Sequence, residues 1–569
     1  MASDATPPPP PPAGAPATAG VKKPKLHGRA FYQSIGSPKY IVAPMVDQSE
    51  FAWRMLSRSF VPADQQTNLL AYSPMFHARM FGDSEKYRAQ HFQPTKPGSD
   101  TTPYLDGNPA IDRPLFVQFC ANDPDALLSA AKQAAPYCDA VDLNLGCPQG
   151  IARKGHYGAF LQEDQDLIYR LIKTLHDHLD IPVTAKIRIL ETKEATLQYA
   201  QKVLSAGASI LTVHGRLREQ KGHLTGLANW EMIRYLRDNL PPETVLFANG
   251  NILQYEDIDK CLAATGADGI MSAEGNLSNP AIFTPPPPVG EEPRGYWVGK
   301  DGKGGWRVDE VLRRYLDILH QYALGQPPPQ RRPLFIPGDD TAWMDEVPTV
   351  LPGLPEPGAK PNKKRKDNNN PAESTTTTTP PPGSGPNFHS VQPHLFHLLR
   401  HLVSRHHDVR NALAKARMGA IEMHEALALM VEKKVAEGLL EYERTDGQSV
   451  EADMPTTTAE EEADPESSAG AVRVCKRPWW VVQPIIRPLP KEALAKGAVS
   501  LSKKERKRVA AEMEGQEEGG NGGKKSKGAE VEGGKGRVGE EAKVVGDTAA
   551  VTESLEKKTS YPSSELVSG

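Results

Sequence analysis

The sequence is poor in cysteine and lacks the patterns in which cysteines form structural sites. Its 569 residues include 5 cysteines, which are odd in number, scattered and free of CxxC spacing. This argues against a disulfide framework and against structural zinc, so we expect no metal centre. No uncharged apolar stretch approaches the length that spans a bilayer, and the N-terminus lacks the basic-then-apolar order of a secretory signal. We therefore expect a soluble protein, cytoplasmic and/or nuclear, with no membrane partner.

Proline and glycine, in contrast, are abundant and unevenly spread. The chain has 52 prolines and 48 glycines, and their clusters indicate that much of it does not fold. Composition predicts a disordered N-terminal segment over residues 1–37, a low-complexity insert over 326–388 and a mostly disordered acidic and basic tail over 445–569. Within that tail, residues 474–490 form an apolar island with two tryptophans. We expect the island to dock onto a folded domain; binding a partner is the alternative.

Short β-branched or apolar runs alternate with amphipathic stretches between residues 40 and 275, a pattern typical of parallel strands joined by helices. Polar residues at the starts of these stretches and glycines at their ends are the usual helix boundaries. Eight such units over about 240 residues predict a (β/α)8 TIM barrel, assigned to residues 38–285. A doubly wound open sheet is the alternative, but no GxGxxG follows the first run. The runs cover residues 40–46, 69–75, 114–120, 140–146, 183–189, 210–216, 245–251 and 269–275.

Polar residues share one parity along five of these runs, so in a barrel they would all point inward. A buried lysine without an anionic partner is costly, so Lys186 indicates an anionic ligand. Glycine-rich sequence follows the seventh and eighth runs, where such barrels bind phosphate. Together these features predict a phosphorylated planar cofactor, flavin mononucleotide (FMN), and the alternative is a barrel that recognises a sugar phosphate. The inward set is Gln118, Asp142, Asn144, Lys186, Arg188, Thr212, His214, Asn249 and Asn251.

A cysteine enters a glycine-rich, basic loop directly after the fourth run. Free cysteines are often only small buried side chains, but Cys147 stands at the end of a strand, where such a barrel performs its chemistry. An unperturbed thiol has a pKa of about 8.5, so it is mostly protonated at neutral pH and can donate a proton. A strong lowering of that pKa by Lys186 or Arg188 would remove this role.

Six motifs stand at the ends of predicted runs: Ala-Pro-Met-Val at 43–46, Val-Gln-Phe at 117–119, Asn-Leu-Gly-Cys-Pro at 144–148, Lys-Ile-Arg at 186–188, Val-His-Gly-Arg at 213–216 and Asn-Gly-Asn at 249–251. Together they resemble the tRNA-dihydrouridine synthase family over residues 38–285. The phrases at 43–50, 119–124 and 271–276 are similar to the eukaryotic branch that modifies positions 16 and 17 of the tRNA D-loop.

This resemblance implies an FMN-dependent enzyme that reduces the C5=C6 bond of D-loop uridines in tRNA, with NADPH or NADH as reductant. FMN N5 would deliver hydride to C6, and Cys147 would deliver the proton to C5. Many family members have Gly-Arg where this chain has Ala273 and Glu274, so backbone amides and Asn276 would replace a side-chain grip on the phosphate. The implied cofactor-binding residues are Pro44, Met45, Val46, Gln118, Lys186, His214, Asn249, Gly250, Asn251, Ala273 and Glu274.

The target uridine must leave its stack to reach the mouth of a barrel. Asn144 and Arg188 are candidates to hold the uracil edge or a nearby phosphate. Arg153, Lys154 and Arg216 are candidates to line the mouth with positive charge, although a solvated surface role is the simpler interpretation for each one alone.

Residues 306–325 and 389–440 carry apolar residues at helical spacing among basic ones, which predicts a helical domain. By resemblance this is the tRNA-binding domain that follows the barrel. Two other functions remain open: a small-molecule flavin dehydrogenase of dihydropyrimidine or dihydroorotate type, and a non-catalytic tRNA-binding protein. The basic helical domain favours tRNA, and the presence of Cys147, Lys186 and His214 favours catalysis. Coenzyme preference and oligomeric state, a monomer included, stay open.

Overall fold

Eight parallel strands close into a barrel in the computed structural model, which describes residues 25–353, 385–454, 458 and 467–495. The first strand pairs with both the second and the last, which completes the ring. This confirms the predicted TIM barrel, and each of the eight predicted runs overlaps one strand. The barrel strands are Tyr40–Val42 (β1), Leu69–Tyr72 (β2), Leu115–Cys120 (β4), Ala140–Leu145 (β5), Val183–Arg188 (β6), Ala208–His214 (β7), Val245–Asn249 (β8) and Gly269–Ser272 (β9), while Phe76–His77 (β3) is a short addition beside β4.

Helices surround the barrel where the sequence predicts them. Five begin at capping side chains, among them Asp123, Asp164 and Thr192, which each accept a hydrogen bond from a backbone N–H of the first turn, at 2.8, 3.0 and 3.1 Å. The helices of the barrel are Gly28–Ser34, Phe51–Ser59, Ala78–Asp83, Glu85–His91, Pro124–Ala134, Gly150–Gly155, Gln165–His178, Lys193–Ser205, Trp230–Asn239, Glu256–Thr265 and Glu274–Ser278, with 3-10 turns at Ala63–Asn68, Ala135–Tyr137, Gly158–Leu161 and Gly222–Leu224.

The prediction that residues 1–37 are disordered is wrong for the helix Gly28–Ser34. Phe31 and Tyr32 of this helix are buried. The ring of Phe31 stacks on Phe116, near the start of β4, and the Tyr32 hydroxyl donates to the carbonyl of Asp268 at 3.1 Å. These two aromatic side chains therefore cover the end of the barrel opposite the strand carboxyl ends. Residues 1–24 lie outside the described part of the chain.

An unpredicted hairpin and a helical region follow the barrel. The predicted helical stretches over 306–325 and 389–440 do contain helices. Residues 326–353, which composition places in a low-complexity insert, pack on this region: Phe335 and Leu351 are buried, and Arg332 forms an ion pair with Glu432 at 2.6 Å. The hairpin strands are Tyr296–Val298 (β10) and Gly304–Trp306 (β11), and the helices are Val308–Ile318 with a π turn at Leu319–Ala323, a 3-10 turn at Ala342–Glu346, Pro386–His389, Val391–Leu398, Arg400–Arg405, His407–Lys415, Ile421–Arg444 and Gln448–Glu451.

The apolar island of the tail docks as expected, and it brings more of the chain with it. Trp480, Val481 and Val482 are buried against the hairpin, and Val482 N–H donates to the Trp306 carbonyl at 2.9 Å. The prediction of a mostly disordered tail is therefore wrong for residues 467–495, which include the helices Ser468–Cys475 and Pro490–Ala495. Residues 496–569 lie outside the described part of the chain.

Within the described residues, no helix is both long and apolar enough to cross a membrane. In the same part of the chain, no group of three or more His, Cys, Asp and Glu side chains is arranged to hold a metal ion. All 5 cysteines are free thiols.

One buried ionic cluster beside the barrel should contribute strongly to stability. The Arg54 guanidinium donates to Asp106 at 2.8 Å and to Asp112 at 2.5 and 3.0 Å, and it is fully buried. Arg54→Met would leave two carboxylates buried without their cation, so we expect the free energy of unfolding to fall by about 3–5 kcal/mol in urea denaturation. Arg444→Met, which breaks an exposed pair with Glu441, is the control and should cost less than about 1 kcal/mol. Equal losses in the two variants would contradict this account.

Candidate active site

Polar side chains of neighbouring strands lie in register at the carboxyl end of the barrel. Lys186 of β6 pairs with Asn144 of β5 on one side and with Thr212 of β7 on the other. One layer further along, Arg188 pairs with His214, which pairs with Asn249. The shared parity in the sequence therefore becomes a layered polar interior at the end where TIM barrels bind their ligands.

A chain of hydrogen bonds fixes Gln118. Its Nε2 donates to Asp142 at 2.8 Å, and its Oε1 accepts from Asn144 Nδ2 at 2.8 Å. Asp142 also accepts from the Thr184 hydroxyl at 2.6 Å. Burial raises the pKa of Asp142 to about 6, against the opposing effect of these hydrogen bonds. Gln118 is thus held in one orientation with one amide hydrogen left for a ligand.

Lys186 is buried without a counterion. Its side chain lies in the barrel with only 4% of its surface exposed, and burial followed by repulsion from Arg188 lowers its pKa to about 7. Among the described residues no carboxylate forms an ion pair with it. A cation left in this state fits a ligand that brings negative charge to the centre of the barrel.

His214, Arg216 and Asn251 form a second connected group. Arg216 donates to Asn251 Oδ1 at 2.8 Å and to His214 Nε2 at 3.0 Å. Because a guanidinium only donates, His214 Nε2 accepts, and its ring proton is on Nδ1. Burial, followed by the charges of Arg188, Lys186 and Arg216, holds the pKa of His214 well below its usual value. The imidazole is therefore a neutral donor.

Asn249 and Gly250 shape the adjoining wall. Asn249 donates to the Met271 carbonyl at 3.0 Å, while its buried Oδ1 has no partner among the described residues. This orphaned acceptor fits a ligand that carries hydroxyl donors. Gly250 has a φ of +115°, and a Cβ there would lie 2.7 Å from Ala228 Cβ, so only glycine fits.

The Cys147 loop is held by backbone contacts. Asn144 Oδ1 accepts from the N–H groups of Gly146 at 3.1 Å and Cys147 at 2.9 Å, and Ala159 N–H donates to the Cys147 carbonyl at 3.1 Å. Gly158 has a φ of +65°, and a Cβ there would lie 2.8 Å from the Cys147 carbonyl oxygen. The basic loop therefore folds back directly against the cysteine.

Cys147 keeps its proton. Burial raises the pKa of the thiol above its usual value, and the opposing effects of a backbone hydrogen bond and of Arg188, Lys186 and Lys221 are smaller. The strong lowering that would have removed its donor role does not occur. A partly exposed, protonated thiol at the barrel mouth can act as a general acid.

Pro44, Met45 and Val46 follow β1 and form the part of the mouth next to β9. Pro44 and Met45 are buried and Val46 is half-buried. Met45 N–H donates to the Ser49 hydroxyl at 3.0 Å, which fixes the turn. The three residues offer an apolar edge of the kind that packs against a flat ring.

The candidate substrate residues separate into two groups. Arg153 and Lys154 are exposed on the short helix of the Cys147 loop. Arg188 is buried, and it donates to the carbonyls of Gly146 at 2.7 Å and Leu217 at 3.0 Å, which ties two loops together. Asn144 and Arg216 also use their polar atoms on neighbouring residues. These three hold the loops of the site in place, whereas the side chains of Arg153 and Lys154 are exposed.

A cavity of about 170 Å³ opens at the ends of β7, β8 and β9. It brings together the predicted residues His214, Asn249, Gly250, Asn251, Ala273 and Glu274, with Arg188 and Arg216. The other predicted residues, Pro44, Met45, Val46, Gln118, Lys186 and Cys147, lie at the same end of the barrel but do not line this cavity.

Sequence reasoning placed Asp142 among the inward residues without a role, and it missed Arg487. Asp142 orients Gln118. Arg487 lines the cavity and donates to Glu274 at 2.6 Å, although 213 residues separate the two along the chain. No local pattern marks Arg487.

Comparison with known proteins identifies similar chains. Residues 41–289 match the family model described as Dihydrouridine synthase. A Schizosaccharomyces pombe protein named tRNA-dihydrouridine(16/17) synthase, with the suffix NAD(P)(+), is 43% identical over 468 residues, which are 82% of this chain and 92% of that protein. A Saccharomyces cerevisiae protein of the same name is 56% identical over 297 residues, 52% of this chain and 64% of that protein. A Mus musculus protein whose name adds "-like" is 45% identical over 302 residues, 52% of this chain and 55% of that protein.

Proposed function

Because this chain belongs to the dihydrouridine synthase family, we propose that it is an FMN-dependent enzyme that reduces uridine to dihydrouridine in tRNA. The names of its relatives support positions 16 and 17 as the targets and NADPH or NADH as the reductant. One observation carries the proposal at the level of atoms: an unpaired buried lysine and a protonated thiol meet at the same end of the barrel. Asn144, which accepts a hydrogen bond from the Cys147 N–H, is paired in register with Lys186.

The described residues fit FMN in four respects. The unpaired Lys186 offers positive charge to the pyrimidine edge of the ring, where Gln118 has a free amide hydrogen. The orphaned Asn249 Oδ1 would accept from a ribityl hydroxyl. Met45 and its neighbours would pack on the ring face, and the cavity beyond β7, β8 and β9 would hold the phosphate. Bound at these residues, FMN reduced by the nicotinamide would supply hydride for C6 of the uracil ring.

The protein supplies the proton and the geometry. After hydride reaches C6, C5 is the basic carbon, and Cys147 transfers its proton there; the bond broken is S–H and the bond formed is C5–H. The turn at Asn144 holds Cys147, and Arg188 ties the Cys147 loop to the loop after β7. The raised pKa of Cys147 keeps the donor loaded at neutral pH. A solvent proton then reloads the thiolate.

Exposed charge supports a tRNA substrate over a free pyrimidine. Arg153 and Lys154 present positive charge beside Cys147, at the place where a flipped uridine would bring its phosphates.

The helical region packs directly on the barrel: His394 pairs with Glu50 at 2.9 Å, and its ring stacks on Trp53 at 3.9 Å between centroids. These contacts fix the helical region against the barrel, as an enzyme that positions a folded RNA requires.

The experiment that tests this function uses the purified full chain with unmodified tRNA transcript, uracil or dihydroorotate as substrate and NADPH or NADH as reductant. We expect bound flavin with its yellow absorbance, and dihydrouridine in the tRNA by mass spectrometry. Turnover of the small molecules with none on tRNA would support the small-molecule dehydrogenase instead. Tight tRNA binding without flavin or dihydrouridine would support the non-catalytic RNA-binding protein.

A further inference from the structure

The cavity at the ends of β7, β8 and β9 has a second wall built from a distant part of the chain. Ser467, Ser468, Ala471 and residues 485–489 line it opposite His214 and the loops after β8 and β9. These residues belong to the segment 467–495, which we call the C-terminal strap. A cofactor phosphate in this cavity would therefore lie between the barrel and the strap.

The strap is fixed at several points. Val308 N–H donates to the Trp480 carbonyl at 2.9 Å, and Trp480 is buried. Within the strap, Leu489 N–H and Ser468 N–H both donate to the Glu492 carboxylate, at 2.9 and 3.0 Å. These contacts hold the two stretches that line the cavity against each other. The strap is thus an ordered part of the cavity wall.

Arg487 is the charged side chain that the strap brings to the cavity. Its Nη2 donates to Glu274 Oε1 at 2.6 Å, and 29% of the Arg487 side chain and 27% of the Glu274 side chain are exposed. Its Nε and Nη1 have no hydrogen-bond partner among the described residues. Glu274 follows the last barrel strand, at the position where the family pattern has the arginine that this chain lacks.

The charges around the cavity favour an anion. Three arginines line it, Arg188, Arg216 and Arg487, against one carboxylate, Glu274. The net charge of these four side chains is therefore about +2, and a phosphate monoester carries about −1.5 to −2 at neutral pH. Most N–H groups of Arg188 and Arg216 already donate to protein atoms. The Nε and Nη1 groups of Arg487 therefore remain to donate to a ligand.

We propose that Arg487, oriented by Glu274, binds the phosphate of FMN and takes the place of the arginine missing after the last strand. Glu274 is then a positioning residue whose carboxylate holds one edge of the guanidinium and turns the other toward the phosphate. The inference rests on the proposed function, because it takes FMN to be the ligand of the barrel.

The test compares FMN with riboflavin, which has the same ring and ribityl chain but no phosphate. Dissociation constants for deflavinated full-length protein follow from quenching of flavin fluorescence on titration. Arg487→Met should weaken FMN binding by about 10- to 100-fold, the range for loss of one charge-assisted hydrogen bond, and leave riboflavin binding unchanged. Glu274→Gln should give a smaller loss for FMN alone. Arg473→Met, an exposed arginine of the strap that does not line the cavity, is the matched control and should bind both flavins as wild type does.

Three results would overturn the assignment. Equal FMN affinity in Arg487→Met and wild type would exclude Arg487 from the phosphate site. Equal losses for FMN and riboflavin would show that the variant damages the cavity as a whole. Weaker tRNA binding with unchanged FMN binding would assign Arg487 to an RNA phosphate. A wild-type protein that binds no flavin would instead contradict the proposed function itself, so the two failures are distinguishable.

Discussion

Replacing Cys147 with alanine should lower uridine reduction in tRNA by about 10²- to 10⁴-fold, the usual contribution of a general acid. The variant should keep its FMN, because this loop is held mainly by the Cys147 backbone and by Asn144, and the thiol adds only a hydrogen bond from the Gln149 backbone. Single-turnover assays with prereduced enzyme would measure the effect on the chemical step. Full activity in Cys147→Ala would refute the assignment, and loss of flavin together with activity would make the residue structural.

The matched control is Cys120→Ala. Cys120 lies at the end of β4 and packs in one cluster with Ala152 and Tyr157, against which Cys147 also packs. Burial raises its pKa to about 12, so its thiol stays protonated, but it is only 1% exposed and does not reach the barrel mouth. Cys120→Ala should therefore retain activity within a few-fold of wild type. Equal losses in the two variants would mean that this cluster matters only for packing.

Lys186→Met should slow the reduction of bound FMN by NADPH by about 10²- to 10³-fold, comparable to the loss of one preorganised electrostatic contact in other enzymes. Lys186 is a buried cation that forms no ion pair with a described residue, and it would balance the negative charge that the flavin ring gains on reduction. Stopped-flow reduction of bound FMN by NADPH measures this directly. Lys202→Met, on an outer helix where Lys202 pairs with the exposed Asp166, should reduce FMN at the wild-type rate. Unchanged rates in Lys186→Met would contradict the charge-balancing role.

Lys186→Met should also change how the free energy of unfolding depends on pH. The pKa of Lys186 is about 7 in the folded chain, against 10.5 for an ordinary lysine, so between these values the unfolded chain binds more protons. The free energy of unfolding of the flavin-free protein should therefore rise with pH across this window. Urea denaturation at about pH 7 and about pH 9.5 should show a smaller rise for Lys186→Met. An identical rise in the two proteins would show that Lys186 is not the titrating group.

The barrel was predictable because its signal is local and repeated. Each strand is a short apolar run along which side chains alternate between the two faces of the sheet. Inward residues such as Gln118, Lys186 and His214 can therefore be recognised because they occupy every second position. Helix starts were predictable for the same reason, since Asp123 and Thr192 cap the residues that follow them directly. Seven of the eight strand ends were overestimated, by one to four residues, because the sequence pattern continues into the loops.

The parts that sequence did not reveal depend on contacts between distant segments. The helix Gly28–Ser34 follows a proline-rich stretch, and only its packing on Phe116 and Asp268 explains its order. Arg487 reaches Glu274 across 213 residues. The roles of Asn144 and Arg188 also changed, because the hydrogen bonds that occupy them cannot be read from spacing. Sequence patterns report on neighbouring residues, whereas these contacts form only when distant segments meet in the folded chain.

The most direct test of the central claim is a map of dihydrouridine in tRNA from cells that lack this protein. We predict that dihydrouridine disappears at positions 16 and 17 and remains at other positions. Expression of the wild-type chain should restore it, and expression of Cys147→Ala should not. Unchanged dihydrouridine at both positions would contradict the assigned function, and restoration by Cys147→Ala would contradict the assigned proton donor.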